Sequence, residues 1–130
     1  MASLAHVALW TRDLDAARFW RDYFGAQVGE PYRSARREGF VSRFVTLAGC
    51  GQIELMTGPW LSACTEEEAA RERVGWDHVA VSLGSREAVD RLARRCAADG
   101  RLVSPARVTG DGFYEAVIAM PDGVRVEITA

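Results

Sequence analysis

The sequence lacks or has little of several residue types, and each shortage excludes a class of function. None of its sixteen basic residues is lysine, which excludes a mechanism that forms a Schiff base on a lysine side chain. The formal net charge is −2, so neither nucleic acid nor an anionic membrane surface is an expected partner. The three cysteines are scattered without a Cys-x-x-Cys pair and predict no disulfide framework.

Long apolar runs are also missing. No segment approaches the length of a membrane span, and the N-terminus lacks the basic and then apolar segments that are typical of a signal peptide. With the scattered cysteines, this makes a reducing cytoplasm the expected location. The 130 residues, of which 48% are hydrophobic and 26% charged, are enough for one globular domain with a hydrophobic core.

The two histidines of the chain occupy the same place in a repeated pattern. Residues 6–9 read His-Val-Ala-Leu, and residues 78–81 read His-Val-Ala-Val. A helical pattern and then a short strand centred on a glutamate follow in each half. Glu54 follows His6 by 48 positions, and Glu127 follows His78 by 49 positions. The repeat indicates that four potential metal ligands lie in pseudo-symmetric places.

Each half of the chain predicts a β-α-β-β-β module. The first module, at about 4–57, has a strand at 4–10, a helix at 14–24 between an Asp13 cap and Gly25, and strands near 26–33, 39–48 and 51–57. The second, at about 76–130, has a strand at 76–83, a helix from the Ser85 cap to Gly100, and strands near 102–108, 113–120 and 124–129.

Turn and linker signals separate these elements. The Gly49-Cys50-Gly51 step predicts a tight hairpin, and Pro121-Asp122-Gly123 predicts a turn. Residues 58–75 read as a linker, in which Thr65 and Glu68 fit a capping box and predict a short helix at 65–73.

Strand periodicity predicts that the histidines and glutamates share a face. Successive side chains of a strand point to opposite sides, and in all four strands the face opposite the histidine or glutamate is aliphatic. Two carboxylates in a partly enclosed site are costly unless a cation neutralises them. We therefore predict a divalent metal site with ligands His6, Glu54, His78 and Glu127, a set that suits Zn, Ni, Co, Fe or Mn without choosing among them.

Several segments resemble those of the vicinal oxygen chelate superfamily, which includes glyoxalase I, bleomycin- and fosfomycin-resistance proteins, methylmalonyl-CoA epimerase and extradiol dioxygenases. The likeness covers nearly all of the chain. It rests on His6 with Asp13-Leu14 and Phe24-Gly25, on Gln52-Ile53-Glu54-Leu55, on Gly75-Trp76-Asp77-His78-Val79-Ala80, and on Pro121-Asp122-Gly123 before Val126-Glu127-Ile128.

The resemblance implies an α+β fold in which two β-α-β-β-β modules form one cupped, eight-stranded mixed sheet around the metal. The order His, Glu, His, Glu is similar to that of glyoxalase I. The sites of fosfomycin-resistance enzymes and dioxygenases look like three-ligand sites, so Glu54 weighs against these two families. Bacterial glyoxalases I typically have an arginine where Trp10 stands and an asparagine shortly after the first glutamate. These two departures argue against a glutathione-linked substrate.

The implied function is a metal-dependent isomerase or lyase that transfers a proton on a small chelating oxygenated substrate, with Glu127 or Glu54 as the base. Strand parity places Trp10, Met56 and Ser82 on the ligand face, and Tyr114 is a further candidate for substrate binding. Two alternatives stay open: a sequestration protein of the bleomycin-resistance type, and an Fe(II) dioxygenase. The resemblance also predicts a homodimer, with each site built within one chain or across two.

Overall fold

The computed structural model describes residues 1–49 and 51–130. Cys50, and with it the centre of the predicted hairpin at Gly49-Cys50-Gly51, lies outside the described residues. The chain divides into two compact units, Met1–Ala63 and Cys64–Ala130. Each unit contains one β-α-β-β-β pattern.

The described part of the first unit contains a helix and five strands that form a mixed sheet. The strands are β1 (Val7–Trp10), β2 (Gln27–Val28), β3 (Tyr32–Arg33), β4 (Val41–Thr46) and β5 (Gln52–Thr57). A 3-10 turn at Leu14–Ala16 leads into helix α1 (Ala17–Phe24). β1 runs parallel to β5, β4 runs antiparallel to β5, and β2 and β3 both pair with β4.

The second unit repeats this topology with four strands and two helices in its described residues. The elements are α2 (Glu66–Ala70), β6 (His78–Ser82), α3 (Arg86–Ala98), β7 (Leu102–Val108), β8 (Tyr114–Ala119) and β9 (Arg125–Thr129). The strand order is β6-β9-β8-β7, and the first strand again runs parallel to the last. The predicted α+β class with two repeated modules is therefore confirmed, and the closure of the two sheets into one cup stays a prediction.

Helix caps form where the sequence predicts them. Asp13 accepts a hydrogen bond from the Asp15 N–H, and Gly25 ends α1 in the left-handed conformation, with φ of 65°. Thr65 and Glu68 form a reciprocal capping box at α2. Ser85 accepts from the Ala88 N–H at the start of α3. Polar caps thus fix the starts of these helical segments.

The core of each unit lies between its helix and one face of its sheet. In the first unit the sheet buries Val45, Ile53 and Leu55 on one face, and α1 contacts β4. In the second, α3 contacts β7, β8 and β9, and its buried side chains are Val89, Leu92, Ala93 and Cys96, as its helical periodicity predicts. The opposite sheet faces remain available for polar side chains.

Several predicted boundaries differ from the observed ones. The predicted strand at 26–33 is two short strands, because Pro31 has no N–H to donate to β4 between β2 and β3. The first strand begins at Val7, which pairs with Ile53, rather than at Leu4. The helix of the linker covers Glu66–Ala70 rather than 65–73. No helix in the described residues is long and apolar enough to cross a membrane.

Candidate metal centre

The first histidine and glutamate contact each other in the first unit. Glu54 lies in β5 between Ala8 of β1 and Phe44 of β4 in the strand register. His6 immediately precedes β1, and its Nε2 lies 3.6 Å from Glu54 Oε1. The His6 ring also meets the Phe44 ring edge to face, with 5.4 Å between the ring centroids. Phe44 therefore packs beside the pair and limits the orientations of the imidazole.

The second histidine and glutamate form an equivalent pair in the second unit. His78 begins β6, and its Nε2 lies 3.1 Å from Glu127 Oε2. Its other ring nitrogen, Nδ1, lies 2.7 Å from Asp77 Oδ2. With the proton on Nδ1 directed to Asp77, the neutral imidazole presents the lone pair of Nε2 to the Glu127 side.

The register explains why the two pairs are equivalent. Ala8 stands opposite Glu54 in the parallel pairing of β1 with β5, and Ala80 stands opposite Glu127 in the parallel pairing of β6 with β9. Each histidine comes two residues before that alanine and so shares its face of the sheet. The repeat seen in the sequence thus becomes the same strand geometry in both units.

Burial separates the two faces of the glutamate strands β5 and β9 as predicted, whereas the aliphatic residues opposite the histidines in β1 and β6 are half-buried. Ile53 and Leu55 on either side of Glu54 are 3% and 0% exposed, and Val126 and Ile128 around Glu127 are fully buried. The carboxylate side chains of Glu54 and Glu127 keep 19% and 15% of their surface exposed, and the two imidazoles keep more. All four polar side chains therefore retain access to a ligand.

The donor atoms of each pair fit a metal ion. Adjacent ligands of an octahedral ion with bonds of about 2.1 Å lie about 3.0 Å apart, and those of a tetrahedral ion about 3.4 Å apart. The N-to-O distances of 3.1 Å at Glu127 and 3.6 Å at Glu54 are close to this range. A carboxylate that fixes Nδ1, as Asp77 does at His78, is the usual outer partner of a metal-binding histidine.

Neither pair is a complete site by itself. Across residues 1–49 and 51–130, no group of three or more His, Cys, Asp or Glu side chains is arranged to hold a metal ion. Each unit supplies one imidazole and one carboxylate to the set of four predicted ligands.

A second carboxyl group adjoins Glu127. Burial, a hydrogen bond with Glu115 and the charge of Glu115 raise the pKa of Glu127, while His78 lowers it. Strand alternation could have identified Glu115. It lies two residues from Val117, which pairs with Glu127, so Glu115 and Glu127 share a face of the sheet.

The predicted substrate-binding residues lie in different surroundings. Trp10 pairs with Met56 in the register, and Ser82 lies on the face of His78. The Tyr114 hydroxyl donates a hydrogen bond to Asp90 of α3, on the helix side of β8. That hydrogen bond raises the pKa of Tyr114.

Trp10 belongs to a cluster of aromatic rings in the first unit. Its ring meets those of Phe40 and Trp60 edge to face, with centroids 6.1 and 6.3 Å apart. Trp10 and Trp60 are 41% and 42% exposed. Large, partly exposed rings of this kind offer apolar contact area to a ligand.

The comparison with protein families gives one match that spans almost the whole chain. The model of the glyoxalase/bleomycin resistance protein/dioxygenase superfamily matches residues 3–128. The chain belongs to this superfamily. The resemblance inferred from the His, Glu and turn motifs is thereby confirmed. A comparison with curated proteins finds no match.

Solved structures of the superfamily share the fold at low sequence identity. A glyoxalase/bleomycin resistance protein/dioxygenase domain from Frankia sp. EAN1pec is 21% identical, with a TM-score of 0.81 over 99% of this chain and 97% of that one. A variant of the fosfomycin resistance protein FosX from Listeria monocytogenes, complexed with Mn(II) and 1S,2S-dihydroxypropylphosphonic acid, is 24% identical, with a TM-score of 0.70 over 100% and 93%. The trypanothione-dependent glyoxalase I of Leishmania major is 16% identical, with a TM-score of 0.73 over 99% and 86%.

Proposed function

We propose that the chain is a divalent-metal-dependent isomerase or lyase that acts by proton transfer on a small chelating oxygenated substrate. The observation that carries this proposal is the repeated His–Glu pair, in which the same strand register presents one imidazole nitrogen and one carboxylate oxygen in each unit. Two imidazoles and two carboxylates around a divalent ion balance its charge. The Mn(II) in the FosX complex supports a metal of this class.

The four predicted ligands would hold the ion through His6 Nε2, Glu54, His78 Nε2 and Glu127. Lewis-acid stabilisation of negative charge on adjacent substrate oxygens is the chemistry that such an ion supplies when bound. Asp77 keeps the His78 imidazole in the tautomer whose Nε2 accepts. Whether both pairs come from one chain or from two chains of a homodimer is left open by the proposal.

The chain itself supplies the groups that move a proton. Glu127 and Glu54 are the two candidate bases, as each has a carboxylate oxygen beside an imidazole. Glu115 gives a proton on Glu127 a second carboxyl oxygen to which it can move. This neighbouring carboxyl group favours Glu127 for the shuttle.

Metal titration tests the binding half of this proposal. Protein purified without chelators should contain one divalent ion per pair of His–Glu sites by elemental analysis. Glu54→Gln and Glu127→Gln should each weaken binding of Mn²⁺ or Ni²⁺ about ten-fold or more by calorimetry. Glu30→Gln, which removes a charge from an exposed glutamate, is the control. Absence of any bound metal in the wild-type chain would reject a metal enzyme.

Deuterium exchange tests the catalytic half. Small hydroxycarbonyl compounds incubated with the metal-loaded protein in D₂O should exchange a carbon-bound proton, visible by NMR. Glu127→Gln should abolish this exchange if Glu127 is the base, and full exchange by both glutamine variants would reject the base role of either residue.

A sequestration protein is the second candidate, and the partly exposed rings of Trp10, Phe40 and Trp60 are the observation that favours it. It predicts ligand binding without turnover, with the metal structural, vestigial or absent. The Fe(II) dioxygenase alternative predicts bound iron together with oxygen uptake, so elemental analysis combined with assays of oxygen uptake and turnover separates the three functions.

A further inference from the structure

The guanidinium group of Arg37 lies inside the aromatic cluster of the first unit. Its central carbon is 4.2 Å from the ring centroid of Trp60 and 5.6 Å from those of Trp10 and Phe40. Three rings from separate segments therefore hold one cationic side chain. Cation–π attraction to the ring faces stabilises this arrangement.

The hydrogen-bond donors of the Arg37 side chain have no partner among the described residues. A guanidinium group carries five N–H donors in its plane. No carboxylate forms an ion pair with Arg37 in the described part of the chain, although the group is always charged. Arg37 thus offers several N–H donors to a ligand, and no described carboxylate balances its positive charge.

The backbone around this cluster is shaped for close approach. A Cβ on Gly58 would lie 2.3 Å from the Trp60 ring, and a Cβ on Gly39 would lie 2.7 Å from Pro59. The Arg37 N–H donates to Ser34 Oγ, and its carbonyl accepts from the Phe40 N–H. Glycine at two contact points allows the loop and the Trp60 ring to pack closely, and the turn at 34–40 is hydrogen-bonded. The position of Arg37 among the rings is therefore fixed by the surrounding structure.

The cluster also shares a sheet face with the first donor pair. His6, Ala8 and Trp10 alternate along one side of β1, and Trp10 stands beside Met56 on the side of Glu54. Trp10 follows His6 by four positions, which corresponds to about 13 Å along an extended chain. A small organic molecule of extended shape can span that distance.

We propose that Arg37 is a binding subsite for an anionic group, either a carboxylate or a phosphonate, and that the apolar body of the ligand packs on Trp10 and Trp60. A planar fork of donors matches the paired oxygens of these groups. That this ligand is also the substrate rests on the proposed function, and the inference then specifies that substrate as an organic acid. Binding at Arg37 itself does not require the metal.

Titration of the full chain with small probes tests the subsite, after any metal has been stripped by a chelator and the chelator removed by dialysis. The probes are benzoate and phenylphosphonate, neutral benzyl alcohol, and cationic benzyltrimethylammonium, and the readouts are tryptophan fluorescence and calorimetry. The wild-type chain should bind the anions about ten-fold more tightly than the alcohol, since a hydrogen bond to a charged group contributes at least that much.

Two charge-removing variants of neighbouring residues give a matched comparison. Arg37→Gln should weaken anion binding about ten-fold and leave binding of the alcohol unchanged. Arg36→Gln, which removes the same charge from an exposed residue of the same loop, should change neither. Arg37→Lys keeps the charge but loses the fork, and it should bind the anions with intermediate affinity.

Several results would overturn the subsite. They are anion affinities unchanged in Arg37→Gln, equal losses in both glutamine variants, or no anion binding by the wild-type chain. Tighter binding of benzyltrimethylammonium by Arg37→Gln than by the wild type, without an effect on the anions, would instead show that the rings form a cage for an external cation. Because these titrations use metal-free protein, failure of the metal proposal leaves their outcome unaffected, and their failure leaves the metal titration intact.

Discussion

Asp77 and His78 are adjacent in the chain, and their side chains also contact each other: Asp77 Oδ2 lies 2.7 Å from His78 Nδ1. This contact fixes which nitrogen of the ring faces Glu127. We expect Asp77→Asn to weaken binding of Ni²⁺ or Mn²⁺ about ten-fold, because the loss of an outer carboxylate partner lowers ligand basicity. Calorimetry against the Glu30→Gln control measures this. Unchanged affinity would show that the Asp77–His78 contact does not support metal binding.

Gly58 is the second position where a single substitution should have a specific effect. A Cβ there collides with the Trp60 ring, so Gly58→Ala should displace the ring and weaken its contact with Arg37. We expect a shift in tryptophan fluorescence and a loss of about 1–3 kcal/mol in the free energy of unfolding. Gly110→Ala is the matched control, because a Cβ at Gly110 meets nothing within 4 Å.

The Ser85 cap should stabilise α3 measurably. Its hydroxyl oxygen accepts from the Ala88 N–H at 3.2 Å, and Ser85→Ala leaves that N–H without its partner. The free energy of unfolding by urea should fall by about 1 kcal/mol. Ser62→Ala, at an exposed serine of the linker, should leave it unchanged.

Cys96 predicts how stability depends on alkaline pH. Burial in α3 raises the pKa of its thiol from 9.0 to about 11, with a smaller contribution from Asp99. Below pH 9 the thiol is protonated in both the folded and the unfolded chain. As pH rises from 9 to 11 the unfolded chain ionises first, so folding stability falls by up to about 2–3 kcal/mol.

Urea midpoints at pH 8 and pH 10.5 measure this effect. Cys96→Ala should lose less stability than the wild type between the two values. Iodoacetamide labelling at pH 8.5 gives an independent readout, in which exposed Cys64 should be modified and buried Cys96 should not. Rapid modification of Cys96 in the folded chain would contradict the assigned burial.

The sequence predicts those features of the fold that depend on local patterns. Polar caps such as Ser85 act within one helical turn, and strand alternation around Glu54 and Glu127 follows from the backbone itself. The two-residue period therefore predicted correctly which neighbours are buried. The two-residue period takes no account of hydrogen-bond donors, so it missed the break at Pro31, whose lack of an N–H interrupts the pairing with β4.

The candidate site was predictable only where it lies on strands. Glu115 was missed although parity pointed to it, because no repeat marked the position. Arg37 was missed for a different reason: it lies in a loop without periodicity, and its contacts join Trp10, Phe40 and Trp60, which are distant in sequence. Contacts that depend on loop conformation leave no pattern in the chain.

Pairing of the first strand with the last in each unit has a kinetic consequence. β1 meets β5, and β6 meets β9, only after the intervening helix and strands of the unit have been brought together. Such long-range closure is slow compared with helix formation. During refolding, the circular dichroism of α3 should therefore recover before either imidazole reaches its carboxylate, and uptake of a metal ion would time the last step of assembly.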